Sequence, residues 1–150
     1  MREVLLLFSS KTITGATGFN FKNGNVVIIM PSEGGMNIFS HELKHAYQFE
    51  AGESGFVNKE LVDKGTQFLH DKMDEVAGYS RGALFGGQRL GVNDLSDVYS
   101  SLPKGPISVN NNPEIVKALS LPPAQRQQAL QRIANEGKAF RVDGQTYRKK

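Results

Sequence analysis

The stretch FSHELKHAYQFEAGE, Phe39–Glu53, holds two of the chain's three histidines, His41 and His45, with Glu42 directly after the first. An α-helix turns by about 100° per residue, so side chains four apart stand on one face. On a helix, His41 and His45 project together, and their ring nitrogens can share one metal ion. Glu42 is rotated by about 100° from His41. It is poorly placed to chelate the same ion, but it can reach a water bound there. Two ligands and a base from a single turn are what an HExxH sequence offers to zinc hydrolysis. The competing reading is a solvated polar helix that spells the motif by chance.

The flanks favour the first reading. Phe39, Leu43, Ala46 and Tyr47 cluster on the side away from the histidines, and Ile38 and Phe49 lie on the histidine side. Apolar residues on both flanks predict a helix buried between layers. Buried imidazoles need partners, and a metal is a good one. Gln48, one turn after His45, is placed to orient a ligand. Lys44 and Glu50 read as surface residues.

Catalytic zinc takes three protein ligands and leaves a fourth position for water. The chain has no cysteine, which excludes thiolate ligands, a disulfide scaffold and a cysteine nucleophile. The candidates for the third ligand are His70, Asp71, Asp74 and Glu75, all within FLHDKMDEVAGYSRG, Phe68–Gly82. On a continuous helix, Phe68, Val76 and Tyr79 share one side, His70 and Asp74 turn away from it, and Glu75 sits at its edge. A buried, unpaired glutamate is costly, so Glu75 is expected to have a cationic partner.

Around these segments the chain alternates strands and helices. Glu3–Ser9, EVLLLFS, reads as a buried strand. Asn23-Gly24 predicts a hairpin with arms at Gly18–Phe21 and Asn25–Met30, closed by Pro31. A loop through Gly34-Gly35 leads to a helix over Asn37–Glu50, ended by Gly52. Phe56–Lys64 reads as a short helix or loop, and TQFLH after Gly65 as a short strand. A second helix is expected from Asp71, a good N-cap, to about Leu84. Gly78 and Gly82 stand four apart on it, a spacing that permits close packing on the first helix. Gly86–Asn112 carries little regular pattern beyond a turn near Asp94–Ser101. Asn112-Pro113 opens a helix at PEIVKAL, PPAQRQQALQRIANEG is an amphipathic helix, and a terminal hairpin turns at Asp143-Gly144.

A chain of 150 residues, 39% hydrophobic and 22% charged, fits one α+β domain with a real core. The net charge of +3 is spread thinly, with an excess in the C-terminal RVDGQTYRKK. No basic stripe interleaved with aromatics is present, so no nucleic-acid partner is expected. Val4–Phe8 is too short for a signal-peptide core or a membrane span, and no membrane insertion is expected. Met1 is also compatible with a longer parent protein.

The combination SHELKHAYQFEAG…DEVAGYSR resembles the gluzincin metallopeptidases, in which HExxH is joined by a glutamate on the next helix. It is similar in particular to the small metallopeptidase domains at the C-termini of bacterial Rhs-type and other polymorphic toxins. The resemblance covers Gly24–Leu84. It implies a zincin-like fold with one Zn2+ per chain, ligands His41, His45 and Glu75, and Glu42 as general base. It also implies a peptide or protein substrate, a cognate immunity protein as partner, and delivery or secretion within a larger bacterial protein. Zincin folds set a sheet-edge strand before the active helix, where extended substrate pairs; Asn25–Met30 occupies that place. One position departs from the pattern. Larger gluzincins often carry an aspartate four residues after the ligand glutamate, and Tyr79 stands there.

In the mechanism that follows, Glu42 takes a proton from the attacking water and passes it to the leaving amine. Tyr79, one turn after Glu75, is the first candidate to donate to the oxyanion, with Tyr99, His70 and Arg81 behind it. Two other readings compete with this one. A zinc-stabilised interaction module would keep the metal without needing Glu42. A basic nucleic-acid-binding domain would need neither.

Overall fold

The computed structural model describes residues 4–9, 14–58 and 69–150. The fold is α+β, with four helices and two three-stranded sheets among those residues. Two compact units form. One draws on the described residues up to Gln48 and on Asp71–Pro106, the other on those from Phe49 to His70 and on Ile107–Lys150.

The first unit is built on the apolar run VVIIMP, β3 (Val26–Pro31). Its alternate residues Val26, Ile28 and Met30 are buried, as the two-residue period of a strand requires. β1 (Val4–Ser9) pairs with it in parallel and β2 (Ala16–Phe19) antiparallel, in the order β1-β3-β2. The hairpin expected at Asn23-Gly24 is present, with its arms set back from the turn at Ala16–Phe19 and Val26–Pro31. Asn20 accepts from the amides of Lys22 and Asn23, and Gly24 takes a left-handed φ of 79° to bring the chain back.

Two expectations about this sheet are corrected. The strand before the HExxH helix, expected at the sheet edge, is the central one, because the N-terminal run pairs along its far side. The edge strand that touches the helix is β2, through Thr17. The run VLLLF, expected to be buried, is exposed along its length, up to 66% at Phe8. It is the outer strand of the sheet, and a continuous apolar run does not itself say what will cover it.

α1 (Met36–Glu50) carries the HExxH sequence, and α2 (Lys72–Ala83) carries Glu75. α2 starts where expected, with a capping box. The Asp74 amide donates to Asp71 Oδ1 at 3.0 Å, and the Asp71 amide donates to Asp74 Oδ2 at 2.9 Å. α1 is not sandwiched between layers. Leu43 is 42% exposed and Tyr47 59%. The exposure is confined to Leu43 and Tyr47 past the first turn, and Tyr47 finds a surface partner in the Lys44 ammonium, 4.6 Å from its ring centre. The two glycines of α2 do permit close approach. A Cβ on Gly78 would lie 3.0 Å from the His41 ring, and one on Gly82 would lie 2.8 Å from the Asn37 carbonyl oxygen.

The segment after α2 makes 3-10 turns at Val92–Asp94 and Asp97–Tyr99 in place of longer elements. Among the described residues, no helix is long and apolar enough to cross a membrane.

In the second unit, β4 (Phe56–Val57), β5 (Lys138–Val142) and β6 (Gln145–Tyr147) form an antiparallel sheet. Phe56–Val57 is thus a strand rather than a helix or loop, held by pairing with Ala139 and Lys138. The rest of the segment read as a helix or loop, beyond Asn58, and TQF of the strand read at TQFLH lie outside the described residues. α3 (Pro113–Leu119) is capped by Asn112, as expected, and α4 (Pro123–Asn135) follows. Their apolar faces meet Phe140, Val142 and Tyr147 in one core with Val109 and Leu69. The terminal hairpin turns on Asp143 and Gly144, both at positive φ, as a two-residue turn of this kind requires.

Gly82→Ala weighs helix propensity against sterics. Alanine favours a helix interior by about 1 kcal/mol over glycine. The added methyl meets backbone rather than a movable side chain, and overpacking of that kind costs about 1–3 kcal/mol. Urea unfolding should therefore show no gain and a net loss of up to about 2 kcal/mol, where an unpacked helical glycine would show a gain.

Candidate metal centre

His41, His45 and Glu75 come together in the first unit. The two imidazoles face one another, with Nε2 atoms 3.0 Å apart. Glu75 closes the triangle: Oε2 lies 3.3 Å from His41 Nε2, and Oε1 lies 3.4 Å from His45 Nε2. These side chains are nearly enclosed, at 13%, 8% and 8% exposed for His41, His45 and Glu75.

Ligands about 2.0–2.1 Å from a zinc ion at tetrahedral angles stand roughly 3.3–3.4 Å from each other. The two imidazole–carboxylate distances fall there, each to a different oxygen of Glu75, and the 3.0 Å between the imidazole nitrogens is shorter. The donor set also fits a borderline-soft divalent ion. The group can therefore hold a metal ion through His41, His45 and Glu75.

Gln48 fixes the tautomer of one ligand. Its amide nitrogen donates to the Asp74 carbonyl at 3.1 Å, which can only accept. Its Oε1 therefore faces His45 Nδ1, 2.8 Å away, and that ring nitrogen carries the hydrogen. In the neutral ring the lone pair is left on Nε2, aimed at the other two ligands. Gln48 is 1% exposed, so the role suggested by its spacing is realised by a fully buried side chain.

In the absence of metal, a proton competes for that lone pair. Burial disfavours the charged ring most strongly. The hydrogen bond and charge of Glu75 outweigh it, with Glu42 and Gln48 adding, and His45 is pushed up to about 9.

The other candidates for the third ligand are not brought into the group. Asp71 and Asp74 are buried, but each carboxylate is taken up by the capping box at the head of α2. His70 is buried and lies outside the cluster.

Glu42 is 7% exposed, and its Oε2 accepts from the Thr17 hydroxyl at 2.6 Å. The Tyr79 ring stands edge-on to His41, with centroids 4.5 Å apart. Its hydroxyl lies 3.3 Å from that of Tyr99, which the Asp97–Tyr99 turn supplies. Burial, the Tyr79 contact and the charges of Glu75 and Glu42 push the Tyr99 phenol above its ordinary range, so it stays protonated. Arg81 is exposed.

The sequence reading missed Thr17 and Gly15. The only local signal was the glycine-rich TGATG, which reads as a turn. No family model, curated protein or solved structure matches the chain, so the functional reading rests on the site itself.

The raised His45 value carries a stability signature. The folded pKa of about 9 exceeds the ordinary 6.5, so the stabilisation is complete below about pH 6.5 and is lost as pH rises through about 9. In protein stripped of metal by a chelator, urea unfolding should weaken across that window, by up to about 3 kcal/mol. Glu75→Gln should flatten the dependence.

Proposed function

We propose that the chain is a zinc-dependent hydrolase of peptide bonds. The observation that carries this reading is the convergence of His41, His45 and Glu75, whose ligand atoms all lie within 4.8 Å of one another. The reading is further supported by the number of ligands. A structural zinc site closes with four protein ligands, whereas a catalytic one keeps a position open. The cluster found among the described residues supplies three. Glu42, next in sequence to a ligand and held by a hydrogen bond, is a feature that an interaction module does not need.

A zinc ion held by His41, His45 and Glu75 would supply Lewis acidity for water and for a substrate carbonyl. The protein's own groups do the rest. Glu42 receives a proton from the attacking water as the new C–O bond forms. It returns that proton to the amide nitrogen as the C–N bond breaks, giving a carboxylate and an amine. Gln48 keeps the His45 lone pair pointed at the centre. The Tyr79–Tyr99 pair sets phenol hydroxyls near His41, donors suited to negative charge developing on the substrate oxygen.

Elemental analysis tests the metal, and release of new amino termini from a denatured protein substrate tests the chemistry. Wild type should carry about one zinc per chain. Glu75→Ala should lose most of it. Glu42→Gln should keep its zinc while turnover falls by roughly 100- to 10,000-fold. Wild type that takes up no zinc, even when zinc is supplied, would sink the reading.

A further inference from the structure

The HExxH sequence explains why a glutamate stands beside the two histidines. It does not explain what points its carboxylate. A glutamate side chain has three rotatable bonds, and on a helix it can equally well turn toward solvent. Two residues of the segment leading into β2, far from α1 in sequence, close off that freedom.

Thr17 lies on β2, and its hydroxyl sits 2.6 Å from Glu42 Oε2 and 2.9 Å from the Glu42 backbone carbonyl. The shorter distance falls in the range of an O–H···O⁻ bond, about 2.5–2.7 Å. The hydroxyl therefore donates chiefly to the carboxylate. One carboxylate oxygen, Oε2, is thereby tied to the strand.

Gly15 bounds the other side. A Cβ built there would lie 2.8 Å from Glu42 Cγ, 3.0 Å from Glu42 Oε1 and 2.7 Å from Ile38 Cγ2. Those are the stem of the glutamate and a branched methyl, and neither is a free chain end. Any side chain at 15 must push the glutamate out of its place. The backbone at Gly15 and the Thr17 hydroxyl thus form a socket into which the Glu42 side chain fits in one orientation.

We infer that Thr17 and Gly15 are positioning residues for Glu42: the socket they form holds its carboxylate in the one orientation from which it acts on the reacting water. This rests on the metallopeptidase reading above. It goes beyond it by assigning the alignment of the base to the edge strand of the sheet rather than to the helix that bears it. The Thr17 hydroxyl carries no proton to or from substrate. It acts only through Glu42.

The test uses zinc-loaded protein and two readouts. The first is calorimetric binding of acetohydroxamic acid, which chelates the metal and hands its proton to a neighbouring carboxylate, and which requires no turnover. The second is the separation of kcat from KM on a peptide substrate. Thr17→Val keeps the shape and removes the hydroxyl; Thr17→Ser restores it. Thr17→Val should keep its zinc and a single cooperative unfolding transition, bind the hydroxamate about tenfold more weakly and lose about tenfold in kcat at unchanged KM, the effect of one charge-assisted hydrogen bond. Thr17→Ser should recover most of both. Gly15→Ala should reproduce the loss without touching the hydroxyl. Zinc-loaded Thr17→Val that matches wild type in both readouts would overturn the proposal alone, as would Thr17→Ser as weak as Thr17→Val. Unaltered hydroxamate affinity in Glu42→Gln, or no zinc in any variant, would overturn the role of Glu42 or of the metal, and this proposal with it.

Discussion

Three metal-seeking groups are gathered where water is nearly excluded, and the first unit is arranged around that constraint. Two imidazole nitrogens lie 3.0 Å apart with a carboxylate against both. Lone pairs brought that close repel unless a cation, metal ion or proton, is shared among them. Burial of an uncompensated carboxylate would cost several kcal/mol. The cluster is therefore stable only with positive charge at its centre. The same demand makes it selective for a cation and pushes the metal-free His45 toward protonation.

The packing of α2 on α1 meets this demand by close approach rather than by bulk. Gly78 lets the His41 ring lie against the backbone of α2, and Gly82 does the same for the Asn37 carbonyl. Glu75 is thereby brought within reach of both rings. The capping box at Asp71 and Asp74 sets where α2 begins, and so which of its acidic residues faces α1. It also occupies the carboxylates of Asp71 and Asp74, which leaves Glu75 as the acidic residue that joins the two histidines. Gln48 then links the two helices, bridging the His45 ring and the Asp74 carbonyl. Helix start, helix contact and ligand tautomer are fixed by one continuous set of bonds.

Glu42 is held from a different direction. It belongs to α1, but the hydroxyl that holds its carboxylate comes from β2. The His41–His45–Glu75 group therefore depends on the contact between two helices, and Glu42 on the contact between helix and sheet. These constraints can be disturbed separately. The Tyr79–Tyr99 pair adds a third, because Tyr99 arrives on an irregular segment with only 3-10 structure. The second unit has its own core around Phe140 and Leu130, built from the faces of α3 and α4 and the β5–β6 hairpin.

The sequence by itself determined whatever depends on short-range geometry. The i, i+4 spacing of His41 and His45 places them on one helical face wherever the helix goes. Asp71 as a cap, Asn112-Pro113 as a helix start and Asp143-Gly144 as a turn follow from local hydrogen bonding and φ preference, and each is found where expected. Spacing also narrowed the third ligand to four residues but could not choose among them. That choice turned on which carboxylates the capping box would consume and on how closely two glycines would let the helices meet. The order of the strands was likewise undetermined. β3 became central because a run remote in sequence pairs along it, and the same run was left exposed although its composition reads as buried. The socket around Glu42 was invisible for a related reason: its parts lie about twenty-five residues apart and meet only in the fold. Helical and turn contacts recur at fixed sequence intervals, whereas contacts across layers have no such interval and are decided only when the layers pack.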